Sequence, residues 1–564
     1  MLKPVKLLAL MLIILNGPFL FAQGNVQEDW VRHYSSGRAK AVELSTAVAV
    51  DSFGNVYVAG ESLGSGTGFD YVVIKYDQSG NEQWIARYNG PGNEEDEIVA
   101  IVVDQTGNVY VTGESVGKNE MCDFATIKYD SDGNQLWVAR FDGRAHLEDH
   151  ATAIAVDAAG NVYVTGASMN SGGWFPNPDY TTIKYNSQGV LQWTAFYNGP
   201  GNSFDEPMAI ALDPEGNVYI TGASWGSCSN FCLRSTFMDY ATIKYDNKGI
   251  EQWVARYDGP ASKMDIAVAL ALDSSKNVYV SGMSEGIGTK IDFATIKYDP
   301  AGTEQWVARY NNPANTQDDV ADMVVDDQGN VYVTGTIGAE IHNPNSNYAT
   351  IKYATDGTEE WVSIFDGAGH QWDRASALAL DQQGNVYVTG QSVGVNKVAD
   401  FATVKYNPGG KLQWVISYSH TTNSSDQASD IVLDPRGNVY VTGTSAIDLT
   451  DSKQTTIKYR QQNLPNQSMV ALTGKDFAEY RLSQNFPNPF NATTTIEFQV
   501  PKTDRVALTI YNALGQQIAV LLQQELPTGR YQVKWEASQA ESGIYYYRFQ
   551  VGSFIETRKL VLIR

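Results

Sequence analysis

Along most of the chain, apolar and polar residues alternate in runs of five to eight, and clusters of Gly, Asp, Asn and Ser interrupt them. That period of two predicts short β-strands joined by tight turns. Four such runs recur in a fixed order. Asn-Val-Tyr-Val (once Asn-Val-Tyr-Ile) begins at Asn55, Asn108, Asn161, Asn217, Asn277, Asn330, Asn385 and Asn438. An Asp-Phe-Ala-Thr-Ile-Lys-Tyr type run ends at positions from Tyr76 to Tyr459. A Trp-Val-Ala-Arg-Tyr type run starts at positions from Trp30 to Trp414. An Ala-Ile-Ala-Val-Asp type run ends at positions from Asp51 to Asp434. Each of these also occurs eight times. Turns such as Asp104-Gln-Thr-Gly-Asn108 separate them, with Gly supplying the positive φ and Asp capping the backbone.

Four antiparallel strands repeated eight times predict an all-β, eight-bladed propeller. The small, apolar Ala-Ile-Ala-Val-Asp strand suits the crowded axis, which leaves the Trp strand outermost. The chain starts with an isolated Trp strand (Trp30 to Tyr34) and ends the array with three strands stopping at Tyr459. The first strand is therefore expected to complete the last blade and remove the open edges. These units resemble bacterial β-propeller repeats in which Gly-Asn-Val-Tyr-Val-Thr-Gly follows Ala-Val-Asp. The resemblance covers about residues 30–459 and implies a fold and an extracytoplasmic setting, but no shared activity.

The two ends differ from the body. Lys3 and Lys6 precede an apolar run from Leu7 to Leu15, then Asn16-Gly-Pro and Phe19 to Ala22. That is the layout of a secretory signal peptide over 1–22, too short to span a bilayer. The propeller is expected over 23–460 and a polar linker over 461–476. Residues 477–564 alternate like a small Ig-like β-sandwich. Their motifs are Leu482-Ser-Gln-Asn-Phe-Pro-Asn-Pro-Phe490, Ile510-Tyr-Asn-Ala-Leu-Gly515, Gly529-Arg-Tyr531, Ser542-Gly-Ile-Tyr545 and Lys559-Leu-Val-Leu-Ile-Arg564. This segment resembles the type A C-terminal sorting domain of the type IX secretion system. The resemblance implies the type IX machinery as a partner, passage through the periplasm, and a secreted or cell-surface destination. No later stretch is apolar and long enough for a transmembrane helix.

The net charge is −23; residues 1–22 and 477–564 each carry +2, which leaves −27 on the stretch between. Such a body repels phosphate backbones, so no nucleic-acid partner is expected. Of three cysteines, Cys228 and Cys232 share a loop and are placed to form a disulfide after export, leaving Cys122 over.

Candidate sites lie on the face where the variable loops open. Two long loops carry Trp174 and Phe175, and Trp225, Phe231 and Phe237, an aromatic platform for a glycan or protein. An acidic residue stands eight positions before each strand-end Asp: Glu43, Asp96, Asp149, Asp205, Asp265, Asp318, Asp373 and Asp426. In register these eight would ring the channel mouth and hold Ca²⁺; the other reading is that each caps its own loop. A lysine recurs in every third strand, where partial burial calls for a carboxylate partner. His146 and His150 form a further candidate metal pair. Asp130-Ser-Asp-Gly-Asn134 lacks the twelfth-position ligand of a calcium loop, since Phe141 stands there.

No catalytic constellation is present in the sequence. The expected function is an exported binding or interaction module for a protein or glycan. The alternatives are an extracellular polysaccharide hydrolase or lyase, a quinoprotein-like oxidoreductase, which lacks here the adjacent cysteines, and a structural envelope component.

Overall fold

The computed structural model describes residues 26–563 except 39, 119–120, 171–176, 227–237, 340–344, 449, 462–469, 473–478, 514–516, 527, 538–539, 541 and 553. The signal segment 1–22 and Trp174, Phe175, Cys228, Phe231, Cys232 and Phe237 thus lie outside the described residues. All elements among the described residues are strands, and none is a helix long and apolar enough to cross a membrane. They fall into two compact units, Met1–Arg460 and Gln461–Arg564.

The first unit holds eight four-stranded antiparallel sheets. Blade one is built from Glu43–Val50, Val56–Leu63, Phe69–Tyr76 and Glu82–Tyr88, and the next six follow the same plan. The second and third strands are buried on both faces, which explains their continuous apolar character. Their core lies between blades: Tyr57, Ala59, Tyr71 and Val73 of blade one pack on Ile98, Val109, Val111, Ala125 and Ile127 of blade two. Every innermost strand carries a β-bulge at the same place, as between Ala151 and Ala153. The glycine of Val-Tyr-Val-Thr-Gly sits against this bulge. A Cβ on Gly166 would fall 2.2 Å from the His150 carbonyl, so no other residue fits there without a shift of the strand.

Neighbouring blades are joined by one recurring contact. The outer-strand tryptophan of each blade lies over the turn between the third and fourth strands of the next. Trp84 donates its indole N–H to the Ser131 carbonyl (3.1 Å) and covers Gly133, whose φ is 84° and whose Cβ would stand 2.6 Å from the ring. The same bond runs from Trp30, Trp137, Trp193, Trp253, Trp306 and Trp361 to the carbonyls of Gln78, Ser187, Asn247, Pro300, Thr355 and Pro408 (3.0–3.3 Å). The recurring lysine joins it. Lys75 also donates to the Ser131 carbonyl (2.8 Å), and Lys128, Lys184, Lys244, Lys297 and Lys458 do likewise. Each of the eight lysines rests on a tyrosine ring, as Lys128 does on Tyr110 at 4.9 Å. The expected carboxylate partners are thus corrected for most blades: a carbonyl and an aromatic face do the neutralising. Carboxylates serve at Lys352 (Glu360, 2.8 Å), at Lys458 (Asp29, 3.2 Å) and, more distantly, at Lys405 (Asp381, 4.0 Å).

The ring closes where the chain ends meet. Blade eight joins Val26–Tyr34, as outermost strand, to Asp451–Gln461, Val439–Asp448 and Ser425–Leu433. Its two outer strands come from opposite ends of the ring and share no turn. Trp414 of blade seven therefore has no turn to lie on; it is buried beside Val26 and Val31 of the clasp strand instead.

The second unit is a pair of four-stranded sheets. Phe490, Ile496, Phe498, Leu508, Tyr547, Leu560 and Leu562 are among the side chains of its core. The Leu482–Phe490 motif is tied across it: Asn485 donates its amide to the Tyr547 hydroxyl (2.9 Å), which donates to the Ser483 carbonyl (2.8 Å).

The clasp generates a test. Trp30 is 7% exposed, packs on Tyr76 and Tyr440, and anchors blade eight to blade one. Trp30→Ala is expected to cost about 3–5 kcal/mol, and removal of residues 23–35 more. Melting curves check both; a loss under about 1 kcal/mol for Trp30→Ala would show the clasp to be dispensable.

Candidate functional site at the loop end of the innermost strands

The eight acidic residues all stand at or next to the start of an innermost strand and are fully buried. Each accepts a backbone amide from the loop before it. Gly90 donates to Asp96, Gly143 to Asp149, Gly199 to Asp205, Gly259 to Asp265, Asn312 to Asp318, Gly367 to Asp373, His420 to Asp426 and Ser36 to Glu43, at 2.5–3.0 Å. The carboxylates are thus turned into their own loops and cap them. Burial pushes Asp149, Asp265, Asp318 and Asp373 up to about 6.

A second layer of charge surrounds them. Arg140 donates to Tyr88 Oη, to Ser115 Oγ and its carbonyl, and to Asp123 Oδ2 (2.5–3.2 Å). Arg87, Arg256 and Arg309 repeat this network with Asp70, Asp239 and Asp292. Where the arginine is replaced by Ile364, the third-strand acid is Asn347; where it is replaced by His33, the acid is Lys453. Loss of the cation goes with loss of the anion, as a mostly buried pair requires. Blades three and seven break the rule: Asp179 and Asp400 stay while Phe196 and Ser417 stand in for arginine. Burial and Asp205 raise Asp179 to about 6.

The position just after each buried acid is where the blades differ. It is occupied by Leu44, Glu97, His150, Glu206, Ile266, Asp319, Arg374 and Gln427. Over blades one to four this makes an acidic cluster. Glu97 pairs in register with Glu114, whose carboxylate holds His150 Nδ1. Glu61 accepts the Ile98 amide, and burial with Glu97 and Glu114 beside it pushes it up to about 7. Burial also raises Glu206, with His150 opposing the shift. His146 turns to Asp142 instead (2.8 Å), so the two histidines serve different acids. The motif strings masked this cluster, because its signal is divergence at one position rather than repetition.

Other candidates are placed as follows. Trp225 ends the Val218–Trp225 strand, half-buried, with its indole N–H unpartnered among the described residues. Cys122 is a free thiol held up to about 11 by burial and nearby carboxylates, so it is a poor nucleophile.

Two further acids face the axis side of the innermost strands. Asp322 accepts the Leu378 (2.9 Å) and Met323 (2.7 Å) amides, and Asp430 the Val48 (2.8 Å) and Ile431 (2.7 Å) amides. The other six blades have alanine there: Ala47, Ala100, Ala153, Ala209, Ala269 and Ala377.

Residues 484–563 match the secretion system C-terminal sorting domain, and residues 413–449 the beta-propeller repeat. The tail is thus a type IX sorting domain, and the chain is exported to the cell surface or the extracellular space. No curated protein matches the sequence. Similar solved structures include a protein of unknown function from Dyadobacter fermentans (11% identity, covering 56% of this chain and 95% of that one, TM-score 0.34). An endo-arabinase from Bacteroides thetaiotaomicron is 12% identical (44% and 92%, TM-score 0.26). An apocarotenoid oxygenase from Synechocystis is 9% identical (71% and 92%, TM-score 0.36).

Burial raises Asp322 to about 7 and Asp430 to about 6, above the ordinary carboxylate value near 4. A raised acid contributes stability that is complete below pH 4 and is lost as the pH rises through 6 to 7. Replacing both by alanine, the residue the other blades use, is expected to leave the fold intact and to shrink the fall in melting temperature between pH 5 and pH 8. An unchanged slope would clear these two acids of that role.

Proposed function

We propose that this exported propeller is a binding module that recognises a protein or glycan through the loop end of blades one to four. The observation that carries the reading is the contrast between adjacent positions. One is acidic in all eight blades and caps its loop; the next takes seven residue types over eight blades and gathers Glu97, Glu206 and His150, beside Glu61 and Glu114. Units that otherwise repeat closely are held alike by packing. A position that packing has released, on a rigid scaffold next to the variable loops, is where ligand specificity is built. Carboxylates that are exposed at Glu97 and half-buried at Glu61, Glu114 and Glu206, beside one imidazole, suit basic side chains or sugar hydroxyls.

A second reading rests on Glu61. A carboxylic acid held protonated to about pH 7 beside ionisable Glu97 and Glu114 has the character of a general acid for glycoside hydrolysis. The two readings separate on one protein: a glycan array and an envelope-peptide panel report binding, and reducing-sugar release reports turnover.

The double variant Glu97→Gln, Glu206→Gln is expected to weaken binding of any ligand so found by at least about tenfold, or 1.4 kcal/mol. Full affinity in the variant would move the site elsewhere. Export is tested separately: chains lacking residues 477–564 are expected to accumulate in the periplasm, and their appearance in the medium or on the surface would overturn the sorting role.

A further inference from the structure

Blades two and three meet at three carboxylates. Asp123 begins the third strand of blade two, Asp142 follows its outermost strand, and Asp149 begins the innermost strand of blade three. Their oxygens lie within 4.8 Å of one another. Asp149 is fully buried and Asp123 is 7% exposed, while Asp142 is open to solvent.

Their hydrogen bonds leave oxygens over. Asp149 Oδ2 takes the Gly143 amide, and Asp123 Oδ2 takes the Arg140 guanidinium (2.8 Å). Asp142 Oδ2 takes His146 Nδ1. Asp149 Oδ1 and Asp123 Oδ1 are buried with no partner among the described residues. Ser168, in register with Asp149, is 4% exposed; its Oγ lies beside the Asp149 carboxylate and has no other partner among the described residues. The reason is local. In blades with the arginine network that serine accepts from the guanidinium, as Ser115 does from Arg140; in blade three Phe196 has replaced the arginine. Carboxylate oxygens left over at one junction, with no guanidinium on the serine beside them, cost free energy unless something supplies positive charge.

Other junctions show what is special here. Between blades one and two the linking residue is Asn89, so Asp70 and Asp96 face Arg87 with a net charge of −1. Between two and three the three acids and Arg140 leave −2 when His146, on Asp142, is neutral. Between blades four and five Asp239, Asp258 and Asp265 form a similar triad, but Ser284 there is held by Arg309 (2.5 Å).

We infer that Asp123, Asp142, Asp149 and Ser168 form a binding site for one Ca²⁺ ion at the junction of blades two and three. The donors are all oxygen, as a hard cation prefers, and the charge of −2 matches it. Ca²⁺ takes six to eight oxygens, so water completes the shell through the exposed Asp142 side. Three carboxylates and a hydroxyl with water make a weak site, of the 10⁻⁴–10⁻³ M class found in extracellular modules. The ion links two blades through oxygens that neither can satisfy alone.

The test uses the full chain, stripped with a chelator and titrated with CaCl₂ in a calorimeter, with melting temperature followed in parallel. Binding is expected near the stated affinity, with a rise in melting temperature. Asp142→Asn, at an exposed position, is expected to weaken it at least tenfold. Asp132→Asn removes the same charge from an exposed turn of the same blade and should leave it unchanged. The inference fails if no heat appears up to about 10 mM Ca²⁺, or if Asp142→Asn binds within twofold of the parent. It fails too if Asp132→Asn weakens binding equally, which would mark diffuse attraction to an acidic surface.

Discussion

Blade-to-blade attachment rests on a tryptophan laid across a glycine. A propeller blade is a twisted sheet with two apolar faces, and it is stable only while both are covered. The inter-blade cores cover them, but apolar packing is non-directional and does not by itself set how far one blade slides along the next. The indole does. Its N–H must meet the carbonyl of the neighbouring turn, and its ring must find a backbone with no Cβ, as at Trp84 on Ser131 and Gly133. The lysine ammonium on the same carbonyl adds a charge-assisted bond. Two donors and one bare glycine fix the register at six of the eight junctions, and at a seventh Trp361 does so on Pro408 and Gly410 without the lysine.

The turns explain how the ring tolerates so many buried acids. The Asp that opens each turn between the first and second strands closes that turn: Asp51 accepts the amides of Phe53 and Asn55 and the Tyr57 hydroxyl. The acid at the start of the innermost strand holds the opposite end. Both kinds take backbone amides within their own loop on one carboxylate oxygen, so each blade arrives with much of its charge already bonded. Variation is then confined to a few places, and those are the mouth position after Asp96, Asp149 and Asp205 and the arginine position held by Phe196, Ile364, Ser417 and His33.

What was legible from the residues follows the same division. Strand number, strand order and the closing strand Val26–Tyr34 are carried by local patterns, since burial on both faces and turn chemistry act over a few residues. Partners between blades are about fifty residues apart and carry no local mark. For that reason the lysines were expected to meet carboxylates, when Lys128 meets the Ser187 carbonyl and the Tyr110 ring. The acidic position of the innermost strand was visible as a repeat, but which way it turned depended on Gly90, Gly143 and their counterparts, whose amides offer a nearer partner. The Glu61–Glu97–Glu114–His150 cluster leaves no mark in the repeat, because it consists of exceptions to it.

The clasp has a mechanical consequence. Val26–Tyr34 runs antiparallel to Asp451–Gln461, with His33 on Thr455 and Asp29 on Arg460. The free end of the first strand and the exit of the last therefore lie side by side. Tension applied between them peels the pair apart one rung at a time, whereas pulling two strands along their length would strain all rungs together. The ring is thus soft to one direction of force. An anchor that holds the molecule by its C-terminal side alone leaves this seam unloaded; a second attachment at the N-terminal end would turn it into a zipper.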